Sequence, residues 1–375
     1  MGHGHDGSGA AGQGFAANES TSSDAPGEFT RAAFPAAEPL TMDGVTLLRD
    51  QAVMRELPES ATRDNPLDAV LGIDIGSVST NLVLLDTDGA MIDEVYTRTQ
   101  GRPIQVVTES LADLAKKYES RLRICGVGTT GSGRELIGEL IGADTVNDEI
   151  TCHKTGAAYI GETLLGGRMP DTIFEIGGQD SKYIALDEGV VVDFTMNEAC
   201  AAGTGSFLEE RAEELGVAIK DEFATRALTS AAPLRLGERC TVFMERDVNS
   251  YLHRGATKND LLAGLCLSVV QNYINRVVRG RRIGETIFFQ GGTAYNDATA
   301  AAFARVTGKE IIVPPHNGVM GAVGAALLAR DKQATGATTK FRGWDLTAVK
   351  YDLKEFTCNA CSNACTIQQF DVEGQ

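Results

Sequence analysis

Positive charge is scarce in this sequence. Its 375 residues include 34 Lys and Arg against 51 Asp and Glu, which gives a formal net charge of −17. Proteins that bind nucleic acid carry clustered basic residues and a basic pI, whereas the pI here is near 4.8. The charge balance therefore argues against nucleic acid as a partner.

Long apolar runs and a secretory leader are also missing. No stretch of about 18 consecutive apolar residues occurs, so no membrane-spanning helix is expected. The first residues, MGHGHDGSGAAGQG, have neither a basic start nor an apolar centre, which argues against a signal peptide. We therefore expect a cytoplasmic protein, in which the eight cysteines bind metal or do redox chemistry rather than form structural disulfides.

The Gly-x-x-x-x-Gly-Lys-[Ser/Thr] motif of P-loop proteins is absent as well. A Gly-x-Gly-x-x-Gly pattern does occur at Gly126–Gly131 after a predicted strand, and taken alone it is typical of dinucleotide-binding domains. An acidic residue at a second strand end, which such domains use for the ribose, is not evident. A Rossmann domain is therefore the weaker interpretation.

Composition divides the chain into three regions. Residues 1–66 are rich in Gly, Ala and Ser and carry ten acidic against four basic residues, which predicts an acidic, disordered tail. Residues 67–335 show strand and helix patterns and form the predicted main domain. Within it, the Gly- and Ala-rich segment Gly318–Arg330 predicts a helix that packs close to a neighbour. Residues 336–375 form a polar extension with a cysteine-rich segment.

Two similar segments organise the main domain. The sequence IGSVSTNLVLLDTDG (Ile75–Gly89) is echoed about 100 residues later by IGGQDSKYIALDEG (Ile176–Gly189), and each reads as strand, polar turn, strand and acidic turn. Such a pair fits a two-lobed nucleotide clamp, in which each turn offers N–H groups and a carboxylate to the phosphates. Two unrelated hairpins are the alternative, because turns favour Gly, Asp and Ser.

Three separated pieces then form the predicted nucleotide site. Gly72–Thr80 holds one side of the phosphates, with Asp74 near a hydrated Mg²⁺, and Gly177–Ser181 holds the other, with Gln179 or Asp180 placing metal or water. Gly291–Thr293 lies under the adenosine. This is the layout of the actin, sugar-kinase and heat-shock-chaperone superfamily, so the predicted fold class is a two-lobed, actin-like α/β ATPase with duplicated ribonuclease-H-like subdomains.

Two cysteines raise a different question. Cys200 stands directly before the small-residue run Ala-Ala-Gly-Thr-Gly and a predicted helix, and Cys240 follows in GERCTVFMERDV. Two cysteines per chain cannot supply the four thiolates of an iron–sulfur cubane, but a symmetric dimer can. A helix N-terminus favours the thiolate, and Gly203 and Gly205 allow close approach of a cluster. The alternative is a pair of buried packing cysteines.

Six motifs together resemble one family, the ATP-dependent activators of 2-hydroxyacyl-CoA dehydratases, which also includes ATPase subunits of benzoyl-CoA reductase. The resemblance spans Val70–Arg330, about 260 residues. The motifs follow the order and spacing of the family: GIDIGSVSTNLVLLD, EIGGQDSKY, NEACAAGTGSFLE, GERCTVF, FFQGGTAYN and PPHNGVMGAVGAALLA.

The resemblance implies a homodimer with one bridging 4Fe–4S cluster, held by Cys200 and Cys240 of each subunit. Binding and hydrolysis of ATP, with Mg²⁺, would change the angle between subunits and drive one electron from a ferredoxin or flavodoxin donor into an iron–sulfur acceptor. Asp74, Gln179 and Asp180 are the predicted catalytic residues. The predicted nucleotide-binding residues are Gly76, Ser77, Ser79, Thr80, Gly177, Gly178, Ser181, Lys182, Gly203, Thr204, Gly205, Gly291, Gly292, Thr293, Asn296 and Gly321.

The remaining cysteines divide into two groups. Cys125 and Cys266 lie within apolar patterns and are predicted to be core residues, and Cys152 lies in a family motif and is predicted to have a packing or hinge role. The run FTCNACSNACTI places Cys358, Cys361 and Cys365 at spacings that favour a metal or cluster, although one ligand is lacking. Similar runs follow the ATPase unit in longer, fused family members, which is compatible with this chain being a fragment. A zinc site or free thiols are the alternatives.

Other functions stay open at this point. The same phosphate loops suit an actin-fold small-molecule kinase, in which the cysteines are incidental, or a nucleotide-switched assembly module without redox chemistry. Within the family, the acceptor is a 2-hydroxyacyl-CoA dehydratase, a benzoyl-CoA-type reductase or a double-cubane cluster protein.

Overall fold

A computed structural model describes residue 1 and residues 34–197, 200–238 and 240–372. Residues 2–33 of the predicted N-terminal tail lie outside this part of the chain. The strands are β1 (Val45–Leu47), β2 (Leu67–Ile75), β3 (Ser79–Asp86), β4 (Met91–Arg98), β5 (Leu122–Thr130), β6 (Thr145–Val146), β7 (Thr172–Ile176), β8 (Ser181–Asp187), β9 (Val190–Asn197), β10 (Ile287–Gln290), β11 (Ile311–Val313), β12 (Tyr351–Thr357) and β13 (Thr366–Val372). The helices are α1 (Pro103–Tyr118), α2 (Arg134–Ile141), α3 (Glu149–Leu164), α4 (Gly205–Glu214), α5 (Phe223–Leu228), α6 (Thr241–His253), α7 (Lys258–Tyr273), α8 (Asp297–Thr307) and α9 (Met320–Gln333).

Two mixed sheets define two lobes. Lobe one contains a five-stranded sheet in the order β4-β3-β2-β5-β6, and lobe two a six-stranded sheet in the order β1-β11-β10-β7-β8-β9. In both sheets an antiparallel meander, β2-β3-β4 or β7-β8-β9, continues into parallel strands. The predicted duplication is therefore confirmed by the strand pairing.

The first turn of each meander has the same backbone closure. The Gly76 N–H donates to the Ser79 carbonyl at 2.9 Å, and the Gly177 N–H donates to the Asp180 carbonyl at 3.1 Å. Both turns connect strands that end on a buried isoleucine, Ile75 or Ile176. Equivalent strand ends thus carry equivalent loops in the two lobes.

Helix α9 lies between the lobes and packs on the sheet of lobe one. An added Cβ on Gly72 or Gly128 would overlap the backbone of Ala322 or Ala325, so the sheet and the helix touch through backbone atoms. The close packing predicted for the Gly- and Ala-rich segment is confirmed. Residues of α9 also join the strands of lobe two in one buried core, which includes Phe288 and Ile312.

Helix α7 is the central helix of lobe two. By length and composition, residues 258–278 are apolar enough to span a membrane, although polar residues interrupt them and no run of about 18 consecutive apolar residues occurs. In the fold, 78% of the most apolar 18-residue stretch of this segment is buried within the protein, including Leu265 and Val269. The segment is therefore a core helix.

The N-terminal segment departs from the prediction of a tail that runs to residue 66. Residues Val45–Leu47 pair in parallel with β11 as an edge strand, and Leu40 and Leu48 are buried. The physical reason is that the exposed edge of the lobe two sheet offers hydrogen-bond partners to a short apolar stretch, whatever the composition of its surroundings. At the other end of the chain, β12 and β13 form an antiparallel hairpin whose loop contains Cys358, Cys361 and Cys365.

Candidate nucleotide cleft and cysteine site

A cleft of about 630 Å³ lies where the two equivalent turns face each other. This volume is in the range of small-molecule and cofactor sites. The predicted site residues that line it are Asp74, Gly76, Ser77, Ser79, Gly177, Gly178, Gln179, Asp180, Lys182, Gly291 and Gly292. The structure therefore brings the three separated pieces of sequence together.

The two turns approach each other closely. An added Cβ on Gly178 would lie 2.6 Å from the Val78 Cβ, so the lobes touch here and no larger residue fits. Gly177 is restricted as well, since its added Cβ would lie 2.7 Å from Asp180 Oδ1. Because the Gly76 and Gly177 N–H groups close their turns, phosphates would be met by the N–H groups of the residues that follow them, Ser77 and Gly178.

A buried lysine organises the acidic side of the cleft. Lys182 Nζ lies 2.6 Å from Asp180, 2.7 Å from Glu149 and 3.1 Å from Glu175, and its side chain is only 3% exposed. Burial alone would lower the pKa of Lys182, but the three carboxylates raise it well above the usual value. Lys182 is thus a permanent cation that fixes the positions of three carboxylates.

Asp74 lies opposite this cluster, beside the glycines at 131 and 321. Burial, and then the Glu149 carboxylate, raise the pKa of Asp74 to about 7. Burial also raises the pKa of Glu175 to about 8, although Lys182 opposes the shift. Four carboxyl groups therefore lie around one lysine, and acidic side chains outnumber the two cations of the cleft lining, Lys182 and Arg134.

A hydrated Mg²⁺ suits this arrangement. Mg²⁺ takes oxygen ligands and is commonly held by one or two carboxylates together with substrate phosphates and water. Within the ranges that the structure describes, no three Cys, His, Asp or Glu side chains form a ready-made metal cage. Asp74 and Asp180 would supply the carboxylates, and the bound nucleotide the remaining oxygens.

The side of the cleft that is predicted to hold the adenosine is a glycine turn between β10 and α8. Gly291 has φ +88°, and an added Cβ there would lie 2.6 Å from Glu175 Oε1. The next four residues, Gly292–Tyr295, form a 3₁₀ turn, and the Asn296 side chain caps α8 by accepting the Thr299 N–H at 3.2 Å. Asn296 therefore shapes the loop, and it is not one of the residues that line the cleft.

The other predicted residues lie behind the cleft wall. Thr80 bonds to Thr99 at 2.9 Å, and Ser181 is fully buried. Gly203 ends a 3₁₀ turn, Thr204 is the N-cap residue of α4 and Gly205 its first residue, and Thr293 and Gly321 fill the space beside Gly205 and Asp74. Thr80 and Ser181 are not among the residues that line the cleft.

Three functional candidates were not predicted from the sequence. Glu149 and His153 lie one turn apart on α3, and Glu175 is the last polar residue of β7 before the second turn. Burial lowers the pKa of His153 to about 3, so this imidazole is neutral in the cleft wall. The spacing of Glu149 and His153 is the only signal in the sequence, and it does not reveal that α3 faces the cleft.

Cys200 and Cys240 each precede a helical segment. The Cys200 N–H donates to Asn197 Oδ1 at 3.1 Å, which holds the residue at the start of the 3₁₀ turn Ala201–Gly203. Cys240 is the N-cap residue of α6, and its carbonyl accepts the Met244 N–H at 3.1 Å. Cys200 is half-buried and Cys240 is exposed, so the alternative of two buried packing cysteines does not hold.

Both cysteine segments rest on α7. An added Cβ on Gly203 would lie 3.6 Å from the Tyr273 nitrogen, and the Ser268 hydroxyl lies 2.7 Å from the Met244 sulfur. Ser268 and Tyr273 are five residues apart, or about 7.5 Å along the helix axis. One rigid helix therefore supports both thiols.

The donor set has the chemistry that an iron–sulfur cluster needs. Iron–sulfur clusters are held by thiolates, and a cubane takes four. The two thiols of one chain fit half of such a site. Arg276 Nη1 lies 3.9 Å from the Cys200 sulfur and places a positive charge beside it.

The other cysteines differ in their surroundings. Cys152 and Cys266 are buried, and burial raises the pKa of each thiol to about 12, which confirms packing roles. Cys125 is half-buried. In the described part of the hairpin, Cys358, Cys361 and Cys365 are free thiols and do not form a three-ligand group. The predicted second metal site is therefore not assembled among the described residues of this structure.

Comparison with known proteins gives the family. The profile of the BadF/BadG/BcrA/BcrD ATPase family matches residues 71–329. The chain belongs to this ATPase family. The match covers the cleft and both Cys200 and Cys240, and it excludes the segment around β1.

Individual relatives agree with this assignment. The (R)-2-hydroxyglutaryl-CoA dehydratase activating ATPase of Acidaminococcus fermentans is 33% identical over 270 residues, which cover 70% of this chain and 98% of that protein. A protein of Methanocaldococcus jannaschii is 31% identical over 261 residues, and the match covers 69% of this chain but only 61% of that longer protein.

A solved structure shows the same fold. The activator of the 2-hydroxyisocaproyl-CoA dehydratase from Clostridium difficile, with bound ADPNP, superposes with a TM-score of 0.62 at 30% identity. The superposition covers 72% of this chain and 96% of that one. The family member described here therefore has the actin-like ATPase fold that the sequence predicted.

Proposed function

We propose that this ATPase works as a homodimer that uses ATP hydrolysis to drive single electrons from a bridging 4Fe–4S cluster into an iron–sulfur partner enzyme. One observation carries the proposal. The Gly205 N–H donates to the Gly177 carbonyl at 2.9 Å, and the Ser206 N–H donates to the Gly178 carbonyl at 2.8 Å. The phosphate turn is thus hydrogen-bonded to the backbone that follows Cys200, so a change in the turn acts directly on the cysteine segment.

The cleft residues have separate roles in this proposal. Asp74 would help to hold a Mg²⁺ ion, which when bound would neutralise phosphate charge, and Gln179 and Asp180 would orient the water that attacks the terminal phosphate. Lys182 fixes Asp180 by a 2.6 Å ion pair. The glycine turns supply N–H groups to the phosphates, where preorganised donors stabilise developing negative charge.

The dimer is needed to complete the cysteine site. Cys200 and Cys240 of each subunit would hold the cluster, which when bound stores and releases one electron. Val242 and Phe243, directly after Cys240, are 66% and 56% exposed. Exposed large apolar side chains beside a half-site suit burial against a second copy of the chain.

We propose a 2-hydroxyacyl-CoA dehydratase as the acceptor, since relatives that share the cleft are dehydratase activators. A benzoyl-CoA-type reductase or a double-cubane cluster protein is the alternative, and a ferredoxin or flavodoxin is the proposed donor. Identifying the iron–sulfur protein that co-purifies anaerobically from the native host would distinguish these acceptors.

The central experiment measures iron. Full-length protein, purified or reconstituted without oxygen, is expected to be brown and to hold about four irons per dimer, with an EPR signal that ATP alters. Cys200→Ser and Cys240→Ser should each lose most of the iron, whereas Cys361→Ser, which removes an exposed thiol outside the site, should keep it. A colourless, iron-free wild-type dimer would contradict the proposal and favour a kinase or an assembly module.

A further inference from the structure

The segment that precedes the family-matched range makes contacts with both lobes. At its start, the Ala37 N–H donates to the Pro233 carbonyl at 2.7 Å, and the Arg235 N–H donates to the Pro35 carbonyl at 2.9 Å. Phe34 packs edge-on against Tyr251 of α6, with ring centroids 5.4 Å apart. This part of the segment is therefore fixed to lobe two, close in sequence to Cys240.

Farther along, the segment is anchored to lobe one. The Arg55 guanidinium pairs with the buried Asp86 carboxylate, and the Arg55 N–H donates to the Met91 carbonyl at 2.6 Å. Arg121 donates to the carbonyls of Leu57 at 3.2 Å and Pro58 at 3.1 Å. The chain between these two anchors has little freedom to move.

Arg49 lies between the anchors, directly after β1, and reaches the nucleotide loop. Its Nη1 donates to the Ala294 carbonyl at 2.8 Å, and its Nη2 pairs with the Asp297 carboxylate. The Arg49 side chain is 17% exposed. The Arg49 guanidinium thus joins two points: Ala294, near the end of the 3₁₀ turn, and Asp297, the first residue of α8.

The geometry of this contact suits control of loop position. Gly291 and Gly292 line the cleft, whereas Ala294, in the same turn, and Asp297, the first residue of α8, do not. A planar guanidinium bound at two points fixes both distance and direction, which a single hydrogen bond does not. The β1 strand and the lobe one anchor hold the Arg49 backbone, so the contact is preorganised.

We propose that Arg49 is a positioning residue for the adenosine side of the nucleotide site, supplied by a segment outside the family-matched region. The inference rests on the proposed nucleotide-binding function of the cleft. Arg49 does not touch the cleft itself. It sets the place of Gly291 and Gly292, and thereby the affinity for the nucleoside part of the ligand rather than for the phosphates.

The test compares two ligands on the full-length protein by calorimetry, MgADP and magnesium pyrophosphate. Arg49→Ala is expected to weaken MgADP binding by roughly five- to thirtyfold, the effect of losing charge-assisted hydrogen bonds. Pyrophosphate binding should change less than about twofold. Arg49→Lys should recover part of the ADP affinity, because lysine keeps the charge but not the two-point geometry.

Two controls separate the possible outcomes. Arg63→Ala removes the same charge from an exposed position of the same segment and should leave both affinities unchanged. Equal weakening of ADP and pyrophosphate, or unchanged ADP affinity in folded Arg49→Ala, would overturn the role of Arg49. If Arg49→Ala fails to fold, Asp297→Asn provides the same comparison from the other partner. Wild-type protein that binds neither ligand would instead overturn the proposed function itself.

Discussion

Arg98 at the end of β4 pairs with Glu209 on α4, so that this ion pair joins lobe one to lobe two. The two side chains belong to different lobes, and α4 begins five residues after Cys200. Both are substantially exposed, 51% and 37%, so the pair contributes little to global stability. Because the Arg98–Glu209 pair joins the two lobes, it must break when the lobes separate.

We predict that Glu209→Gln accelerates nucleotide release. Loss of the ion pair between the lobes favours the state in which the lobes are apart. The dissociation rate of a fluorescent ADP analogue, measured by stopped flow, should therefore rise about two- to fivefold. The free energy of unfolding should stay within about 1 kcal/mol of wild type. Glu213→Gln, an exposed change on the same helix, is the control. An unchanged dissociation rate would show that the pair does not hold the cleft closed.

Gly178 offers a test of lobe closure. A methyl group at this position meets Val78, so Gly178→Ala should hold the turns apart and lower kcat for ATP hydrolysis at least about tenfold, equivalent to roughly 1.4 kcal/mol. The double variant Gly178→Ala, Val78→Gly removes the opposing side chain and should recover most of the rate. If the double variant does not recover the rate, the lower kcat of Gly178→Ala is caused by altered N–H groups of the turn and not by blocked closure of the lobes.

Glu175 should make stability depend on pH. Its pKa is about 8 in the folded protein and 4.5 without the fold, so the folded state retains a proton that the unfolded chain releases between these values. The contribution of Glu175 to stability should therefore fall as pH rises from 4.5 to about 8. Glu175→Gln should reduce the loss by at least about 1 kcal/mol, measured by urea unfolding without Mg²⁺.

In that variant Asp74, whose raised pKa acts in the same direction up to about pH 7, is opposed by His153, whose lowered pKa makes stability rise with pH from about 3 to 6.5, while Lys182 stays charged throughout. Parallel pH profiles for wild type and Glu175→Gln would show that Glu175 is ionised in the folded cleft.

Phe34 should stabilise α6, the helix that begins directly after Cys240. Besides Tyr251, the ring contacts the Arg254 guanidinium, which lies 5.0 Å from its centroid. Phe34→Ala should loosen α6 and speed alkylation of Cys240 about two- to tenfold, quantified by mass spectrometry on cluster-free protein. Phe356→Ala, at an exposed hairpin position, should leave the rate unchanged. If Cys240 is alkylated at the same rate in both variants, Phe34 has no influence on the cysteine site.

The hairpin cysteines should not add to the metal content. Because the three thiols do not form a group in the structure, a Cys358→Ser, Cys361→Ser, Cys365→Ser variant should retain the iron and zinc content of wild type, measured by plasma mass spectrometry. A loss of about one zinc or of iron per chain would show that the hairpin rearranges around a metal.

Local patterns were sufficient where local chemistry decides the structure. The strands that flank Gly76 and Gly177 follow from apolar runs broken by polar turns, and Asp74 and Asp180 follow from the position of those turns. The close packing of α9 follows from its small residues, which face Gly72 and Gly128.

Tertiary placement decides the rest. Helix α3 carries Glu149 and His153 into the cleft wall, but its own sequence has mixed faces and gives no sign of what it packs against. Residues Val45–Leu47 are three apolar or neutral residues in an acidic, Gly-rich context, and they become a strand only because β11 leaves an open edge. No local pattern contains that information.

The pairing of β1 with β11 has a consequence for biosynthesis. Residue 45 leaves the ribosome long before residue 311, its partner in the sheet. Lobe one, built from residues 67–146, has every strand it needs early in translation. The lobe two sheet closes only when the last quarter of the polypeptide emerges, so the strand that is made first is the one that docks last.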